Sequence, residues 1–159
     1  MLYIEIDGVL TNTVATINKI LKTNIECIRD YDLYSTRIQK EMFDEKYIQE
    51  CVPNIDVIEF LKNKNFKCLT SRLSINDLKT KKWLKQYLKR DVEVLYSASK
   101  HNILTSADVL LDSKPLTIAN CNIEKKKSFL YQNKTLCFEK EIELYKINNI
   151  INNELLFLL

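Results

Sequence analysis

The sequence has little of the two residues that mark turns and linkers: one glycine, Gly8, and two prolines among 159 residues. Long flexible linkers are therefore not expected, and the length fits one domain, or one core with a small insertion. Histidine is also scarce, because His101 is the only one, and a lone histidine without a placed partner is a poor candidate for a catalytic base. Apolar residues make up 46% and charged residues 28%, which is typical of a globular protein with a buried core.

The five cysteines are odd in number and contain no C-x-x-C pair. A disulfide framework or a zinc site is therefore not predicted, and buried reduced thiols fit better. No signal peptide precedes the first predicted strand, and no run approaches the ~20 apolar residues of a membrane span. These features predict a cytoplasmic protein without a membrane partner. The net charge of +3 is too small to require a nucleic-acid partner.

The chain begins with a short apolar run, residues 2–6, and two acids, Glu5 and Asp7, lie at its C-terminal end. Its β-favouring side chains predict a strand buried on both faces, as in a parallel sheet. Glu5 and Asp7 are two positions apart, so both side chains can face one pocket. Gly8 follows where the strand must turn sharply and let the backbone approach a ligand. A candidate site is therefore predicted at this strand end, although two solvated acids before a turn would give the same pattern.

Residues 5–13, EIDGVLTNT, resemble the first motif of the haloacid dehalogenase (HAD) superfamily, an apolar strand followed by Asp-x-Asp-Gly-Val-Leu-x-x-Thr. The match includes Asp7, Gly8 and Thr13. It fails at the first acid, where the superfamily has its nucleophilic Asp and this chain has Glu5.

Apolar strands followed by polar residues recur three times downstream. Strand 65–71 ends in Thr70 and Ser71, strand 92–97 precedes Lys100 at a helix start, and strand 107–112 ends in Asp112. In the superfamily these positions hold a phosphate-binding hydroxyl, a charge-neutralising Lys and a metal-binding Asp. Four such strand ends in the expected order strengthen the resemblance beyond the first motif. Ser113 stands where the fourth motif has its second acid.

The resemblance implies a Mg²⁺-dependent phosphohydrolase that works through a covalent intermediate. It assigns three sets of site residues. The catalytic residues are Glu5 (nucleophile position), Asp7 (acid and base) and Lys100 (charge neutralisation). The phosphate-binding residues are Thr70, Ser71 and Lys100. The metal ligands are Glu5, Asp7 through its backbone carbonyl, and Asp112, oxygen donors of the kind that Mg²⁺ prefers.

The resemblance also implies the fold, a three-layer, Rossmann-like α/β structure with a central parallel five-stranded sheet and a small helical cap inserted after the first strand. We predict a HAD core domain at 1–12 and 54–159 and the cap at 13–53. The fifth strand is predicted at 127–131, and a helix from Glu139 towards the C-terminus. The apolar stretch 155–159 either packs against the sheet or forms a homodimer face.

Segment 31–33, Tyr-Asp-Leu, and the return segment 52–62 look like the deoxyribonucleotidase-type members of the superfamily. This resemblance implies that nucleoside 5′-monophosphates are the substrates. The extra methylene of Glu5 moves its carboxylate by on the order of 1 Å, a displacement that can cost ~10²-fold in rate. Glu5 is thus a working variant, a natural loss of catalysis or an introduced substitution.

A catalytically impaired HAD-fold protein that binds phosphate, a nucleotide or a protein partner is the alternative function. The third alternative is a nucleic-acid end phosphatase, suggested by the lysine-rich helix 79–90.

Overall fold

The computed structural model describes residues 1–26, 45–132 and 139–159. Predictions that fall on 27–44 and 133–138, among them Cys27, Cys137 and segment 31–33, lie outside the described residues. The six described strands are β1 Leu2–Ile4, β2 Phe66–Thr70, β3 Val94–Tyr96, β4 Val109–Asp112, β5 Lys127–Tyr131 and β6 Ile150–Ile151. The described α-helices are α1 Thr13–Leu21, α2 Glu45–Glu50, α3 Ile55–Leu61, α4 Asp77–Leu88, α5 Pro115–Ile123 and α6 Glu139–Leu144. Short 3₁₀ helices cover Ser74–Asn76, Lys100–Asn102 and Asn153–Leu158.

The strands form one parallel sheet in the order β3-β2-β1-β4-β5-β6. The central strand β1 lies between β2 and β4, with Ile4 level with Cys68 on one side and Leu111 on the other. The chain fills one half of the sheet from β1 to β3 and then returns to fill the other half. In such doubly wound sheets ligands bind outside the carboxyl ends of the strands, at the point where the order reverses. The topology therefore directs attention to the carboxyl end of β1.

The prediction of five strands is wrong, because β6 adds a sixth. The predicted C-terminal helix is also shorter than expected, since α6 ends at Leu144. The amides of Leu130 and Gln132 donate to backbone oxygens of segment 149–151 at 2.8 and 2.9 Å. Without β6 these amides would lack partners at a buried sheet edge, which is costly. Two β-branched isoleucines suit this extended conformation better than the helix predicted for them.

Helices cover both faces of the sheet. Neighbouring strand residues point to opposite sides, and apolar residues on each side pack against helices. On one face, β1 and β4 contribute residues to a large core with α3 and α4 that includes Ile4, Leu61, Phe66, Trp83 and Leu111. On the other face, a smaller cluster contains Tyr3, Leu110 and Cys121, the last from α5. This arrangement gives the three-layer architecture that the resemblance implied.

The C-terminal end of the predicted cap contributes to the core of the sheet domain. Tyr47, Ile48 and Cys51 belong to the large core, and Nε1 of Trp83 donates to the Cys51 carbonyl at 2.9 Å. The division between core and cap at 12/13 and 53/54 stays a prediction.

The apolar C-terminal stretch divides between packing and exposure. Leu156 is buried in the large core, whereas Phe157 is 69% exposed. The homodimer face stays a prediction. No helix in the described ranges is long and apolar enough to cross a membrane, and the cytoplasmic location stays a prediction. The described cysteines, Cys51, Cys68 and Cys121, are free and buried, as expected.

Candidate active site

The candidate site lies where three neighbouring strands end. Glu5 follows β1, Thr70 ends β2 and Asp112 ends β4, and all three residues are completely buried. The amide of Glu5 donates to the Leu111 carbonyl at 2.9 Å, which extends the β1–β4 pairing by one residue and sets Glu5 beside Asp112. Lys100, in the 3₁₀ helix after β3, reaches the same place and is 2% exposed. We call these four residues the inner cluster.

Glu5 is bound through both carboxylate oxygens. Its Oε1 accepts a hydrogen bond from the Thr70 hydroxyl at 2.8 Å and from the amides of Ile6 and Asp7 at 2.8 and 3.2 Å. Its Oε2 contacts Nζ of Lys100. The longer side chain thus folds back on its own strand end and is held there by the neighbouring backbone.

Asp112 is bound in a similar way. Its Oδ2 accepts from Nζ of Lys100, and its Oδ1 accepts from the Lys114 amide at 2.8 Å. Lys100 therefore bridges the carboxylates of Glu5 and Asp112. Burial lowers the pKa of Lys100, and the charge of Asp112 opposes that effect only in part. A buried ammonium needs such close carboxylate partners to offset its lost hydration.

Asp7 lies outside the inner cluster and pairs with Arg72. Nε and Nη2 of Arg72 donate to Oδ2 and Oδ1 of Asp7 at 2.8 and 2.6 Å, which is a bidentate ion pair. Burial raises the pKa of Asp7, but the charge and hydrogen bonds of Arg72, with smaller contributions from Lys114 and Thr11, together lower it by more, so the pKa lies below its usual range. Nη2 of Arg72 also lies 3.3 Å from Sγ of Cys51, whose pKa burial raises to about 12. We call Asp7 and Arg72 the outer pair.

The turn between the two groups depends on Gly8, as predicted. Its φ of +86° lies in the left-handed region, and an added Cβ would overlap the side chain of Ser113. Ser113 Oγ donates to the Asp7 backbone carbonyl at 3.0 Å. The close approach at Gly8 thus serves contact with Ser113.

The structure brings the inner cluster together but separates two other predicted site residues from it. Asp7 turns its carboxylate to Arg72, and Ser71 accepts a hydrogen bond from Nζ of Lys114 at 2.9 Å. Arg72 and Lys114 had no predicted role. The signal that could have identified them is a cation directly after a motif, in Thr-Ser-Arg and Asp-Ser-Lys.

The predicted Mg²⁺ ligands are oxygens, which suits the ion chemically. As placed, however, they are engaged by protein groups. Lys100 stands between the carboxylates of Glu5 and Asp112, and the Ser113 hydroxyl is bound to the Asp7 carbonyl. Within the described part of the chain, no three His, Cys, Asp or Glu side chains are grouped as a metal site. The present arrangement therefore does not fit Mg²⁺, and the ion stays a prediction.

No protein-family model matches this chain, and none of the curated proteins does. Among solved structures, the chain is similar to a predicted phosphatase from Clostridium acetobutylicum, with a TM-score of 0.61 and 13% sequence identity. The alignment covers 98% of this chain and 95% of that one. At this identity the similarity shows a shared three-layer α/β fold over nearly the whole length, and HAD membership stays a resemblance.

Proposed function

We propose that this protein is a phosphatase that hydrolyses small phosphomonoesters. The observation that carries the proposal is the meeting of the inner cluster where β1, β2 and β4 end. A carboxylate, a hydroxyl and an ammonium group there have the chemistry needed to attack phosphorus and to stabilise phosphoryl charge. The shared fold with a protein described as a predicted phosphatase supports the same reaction class.

In the proposed reaction a carboxylate oxygen of Glu5 attacks phosphorus, and the bond between phosphorus and the ester oxygen breaks. The leaving oxygen takes a proton from Asp7 in its neutral form. Asp7 then takes a proton from the water that hydrolyses the acyl phosphate, which frees Glu5 and releases phosphate. Thr70 and Lys100 hold the phosphoryl oxygens.

The outer pair makes the first proton transfer the demanding step, because Arg72 favours the ionised form of Asp7. Esters whose leaving group needs little protonation should therefore react fastest. We expect p-nitrophenyl phosphate to be hydrolysed faster than a nucleoside 5′-monophosphate, which remains the proposed natural substrate class on the sequence resemblance.

The test is phosphate release from p-nitrophenyl phosphate and a panel of ribo- and deoxyribonucleoside 5′-monophosphates, each with Mg²⁺ and with EDTA. Wild-type protein should release phosphate, and Asp7→Asn should abolish release. Glu5→Asp should raise the rate by on the order of 10²-fold if the extra methylene displaces the attacking oxygen. Absence of release from both the wild type and Glu5→Asp would contradict the proposal for these substrates.

Phosphate binding without turnover is a second candidate, favoured by the enclosure of Glu5. Its side chain is completely buried, and protein donors engage both of its oxygens. Calorimetry with inorganic phosphate and a nucleoside monophosphate would test it. Binding by a wild-type protein that releases no phosphate, together with activity of Glu5→Asp, would favour this candidate.

A further inference from the structure

We infer that the ammonium group of Lys100 takes the place of a divalent cation in this site, so that the wild-type protein has no resident metal ion there. The inference concerns the site of the proposed function and rests on that proposal only for the choice of oxygens to compare. It does not require turnover.

The oxygen atoms that a metal ion would need already have partners in the protein. Lys100 contacts one oxygen of Glu5 and one of Asp112. The other oxygen of each carboxylate accepts hydrogen bonds from Thr70 and from backbone amides. The carbonyl of Asp7, the third expected ligand, accepts from Ser113. Protein donors therefore engage every ligand position that the resemblance assigns to Mg²⁺.

The charges in the site also disfavour a divalent cation. Two carboxylates and one ammonium meet in the inner cluster, and the third carboxylate, Asp7, is neutralised by Arg72. A divalent cation beside the ammonium of Lys100 would bring like charges together in a buried place where solvent screens them little. Binding would therefore require Lys100 to withdraw.

The site also lacks one of the acids of the fourth motif. Mg²⁺ demands nearly octahedral oxygen ligands and gives up its water reluctantly. Ser113 stands where the motif has a second acid, and its neutral hydroxyl packs against Gly8. The site thus has one carboxylate fewer to attract the ion, and Lys100 already offsets one of the two negative charges that remain.

The test is a Mn²⁺ titration without substrate, with free Mn²⁺ measured by electron paramagnetic resonance. Wild-type protein should bind Mn²⁺ at this site with a Kd weaker than about 1 mM. Lys100→Met, which removes the charge but keeps most of the side chain's volume, should bind one Mn²⁺ at least about 10-fold more tightly. Asp112→Asn in the Lys100→Met background should remove that gain, and Lys82→Met, which removes an exposed cation of α4, should behave as the wild type.

One Mn²⁺ bound to wild-type protein with a micromolar Kd, and lost in Asp112→Asn, would overturn the inference. A folded Lys100→Met protein that gains no Mn²⁺ binding would overturn it as well. If Lys100→Met does not fold, the wild-type titration and its Asp112→Asn control decide alone.

The outcome separates this inference from the proposed function. Phosphate release that is equal in EDTA and in Mg²⁺ supports both. Release only with Mg²⁺ supports the function and overturns the inference. If neither the wild type nor Glu5→Asp releases phosphate and the wild type binds no Mn²⁺, the function is contradicted and the inference is supported.

Discussion

The inner cluster and the outer pair each bring a cation and carboxylate chemistry together in one site, but their side chains differ in exposure to solvent. In the inner cluster Lys100 is 2% exposed and its two carboxylate partners are completely buried. In the outer pair Arg72 is 6% exposed and Asp7 16%. Backbone pairing between the ends of β1 and β4 sets the inner carboxylates side by side, whereas the outer pair joins two residues from the segments beyond β1 and β2. The difference implies that water can partly compensate a broken outer pair but not a broken inner cluster.

Removal of Lys100 should have the largest effect on stability. Lys100→Met leaves two buried carboxylates side by side without a cation. Breaking a buried ion pair from one side typically costs about 3–5 kcal/mol, and we expect a loss of that size in the free energy of unfolding. Urea denaturation at neutral pH measures it, with the exposed Lys82→Met as a control that should stay near the wild type. A loss below about 1 kcal/mol, the range of surface pairs, would mean that water reaches the inner cluster.

A substitution in the turn at Gly8, which separates the inner cluster from the outer pair, should have the second-largest effect on stability. Gly8→Ala forces an L-residue into the left-handed region, which costs about 1–2 kcal/mol, and its Cβ would overlap Ser113, which costs about 1–3 kcal/mol more when the site is tightly packed. The loss should be measured by urea denaturation in the wild type and in a Ser113→Gly background. We expect the second background to remove the overlap part only. Equal losses in both backgrounds would show that Ser113 moves aside freely.

The outer pair should contribute less to the free energy of unfolding than the inner cluster or the turn at Gly8. Hydrogen bonds to charged groups contribute about 1.5–3 kcal/mol, and we expect Arg72→Met to lower the free energy of unfolding by about 2 kcal/mol at pH 7. Arg72→Lys should recover only part of this, because lysine keeps the charge but cannot form the bidentate contact with Asp7.

The contribution of the outer pair to stability should depend on pH. Arg72 holds the pKa of Asp7 in the folded protein below its usual range, despite the opposing effect of burial. The pair therefore stabilises fully above the pKa of the unfolded chain, about 3.9, and this contribution is lost as the pH falls through the lower folded-state pKa. Urea titrations from pH 7 to pH 3 should show wild type and Arg72→Met converging at the acid end. A constant difference would contradict the ion-pair origin of the effect.

The same comparison shows what the sequence could predict. Glu5, Thr70 and Asp112 were predictable because each ends an apolar segment, and parallel strands place their carboxyl ends at one edge. The β6 strand was not predictable, because two isoleucines among asparagines fit a helix face as well as a strand. Only the open edge of β5 decides between these structures, and that edge exists only in the folded sheet.

The direction in which a side chain turns was harder to predict than its place in the chain. The alternation along β1 predicts that Glu5 and Asp7 face one pocket. Gly8 and the turn after β1 break that alternation, and Asp7 turns to Arg72, 65 positions away in sequence. Such a choice depends on which cation the fold brings near, and no local pattern carries that information.

Substitution of Lys114 should have the smallest effect on stability of the changes considered. Its Nζ donates to Ser71 at 2.9 Å, but the residue is exposed, so water can replace that contact. Substitutions at such surface positions usually change stability by less than about 0.5 kcal/mol, and Lys114→Met should stay within that limit in urea denaturation. Its backbone amide, which donates to Asp112, is kept in the variant. The charge of Lys114 also helps to lower the pKa of Asp7. A larger loss would mean that this effect contributes measurably to stability, and the pH titration of Lys114→Met would then show a smaller acid-side decline than the wild type.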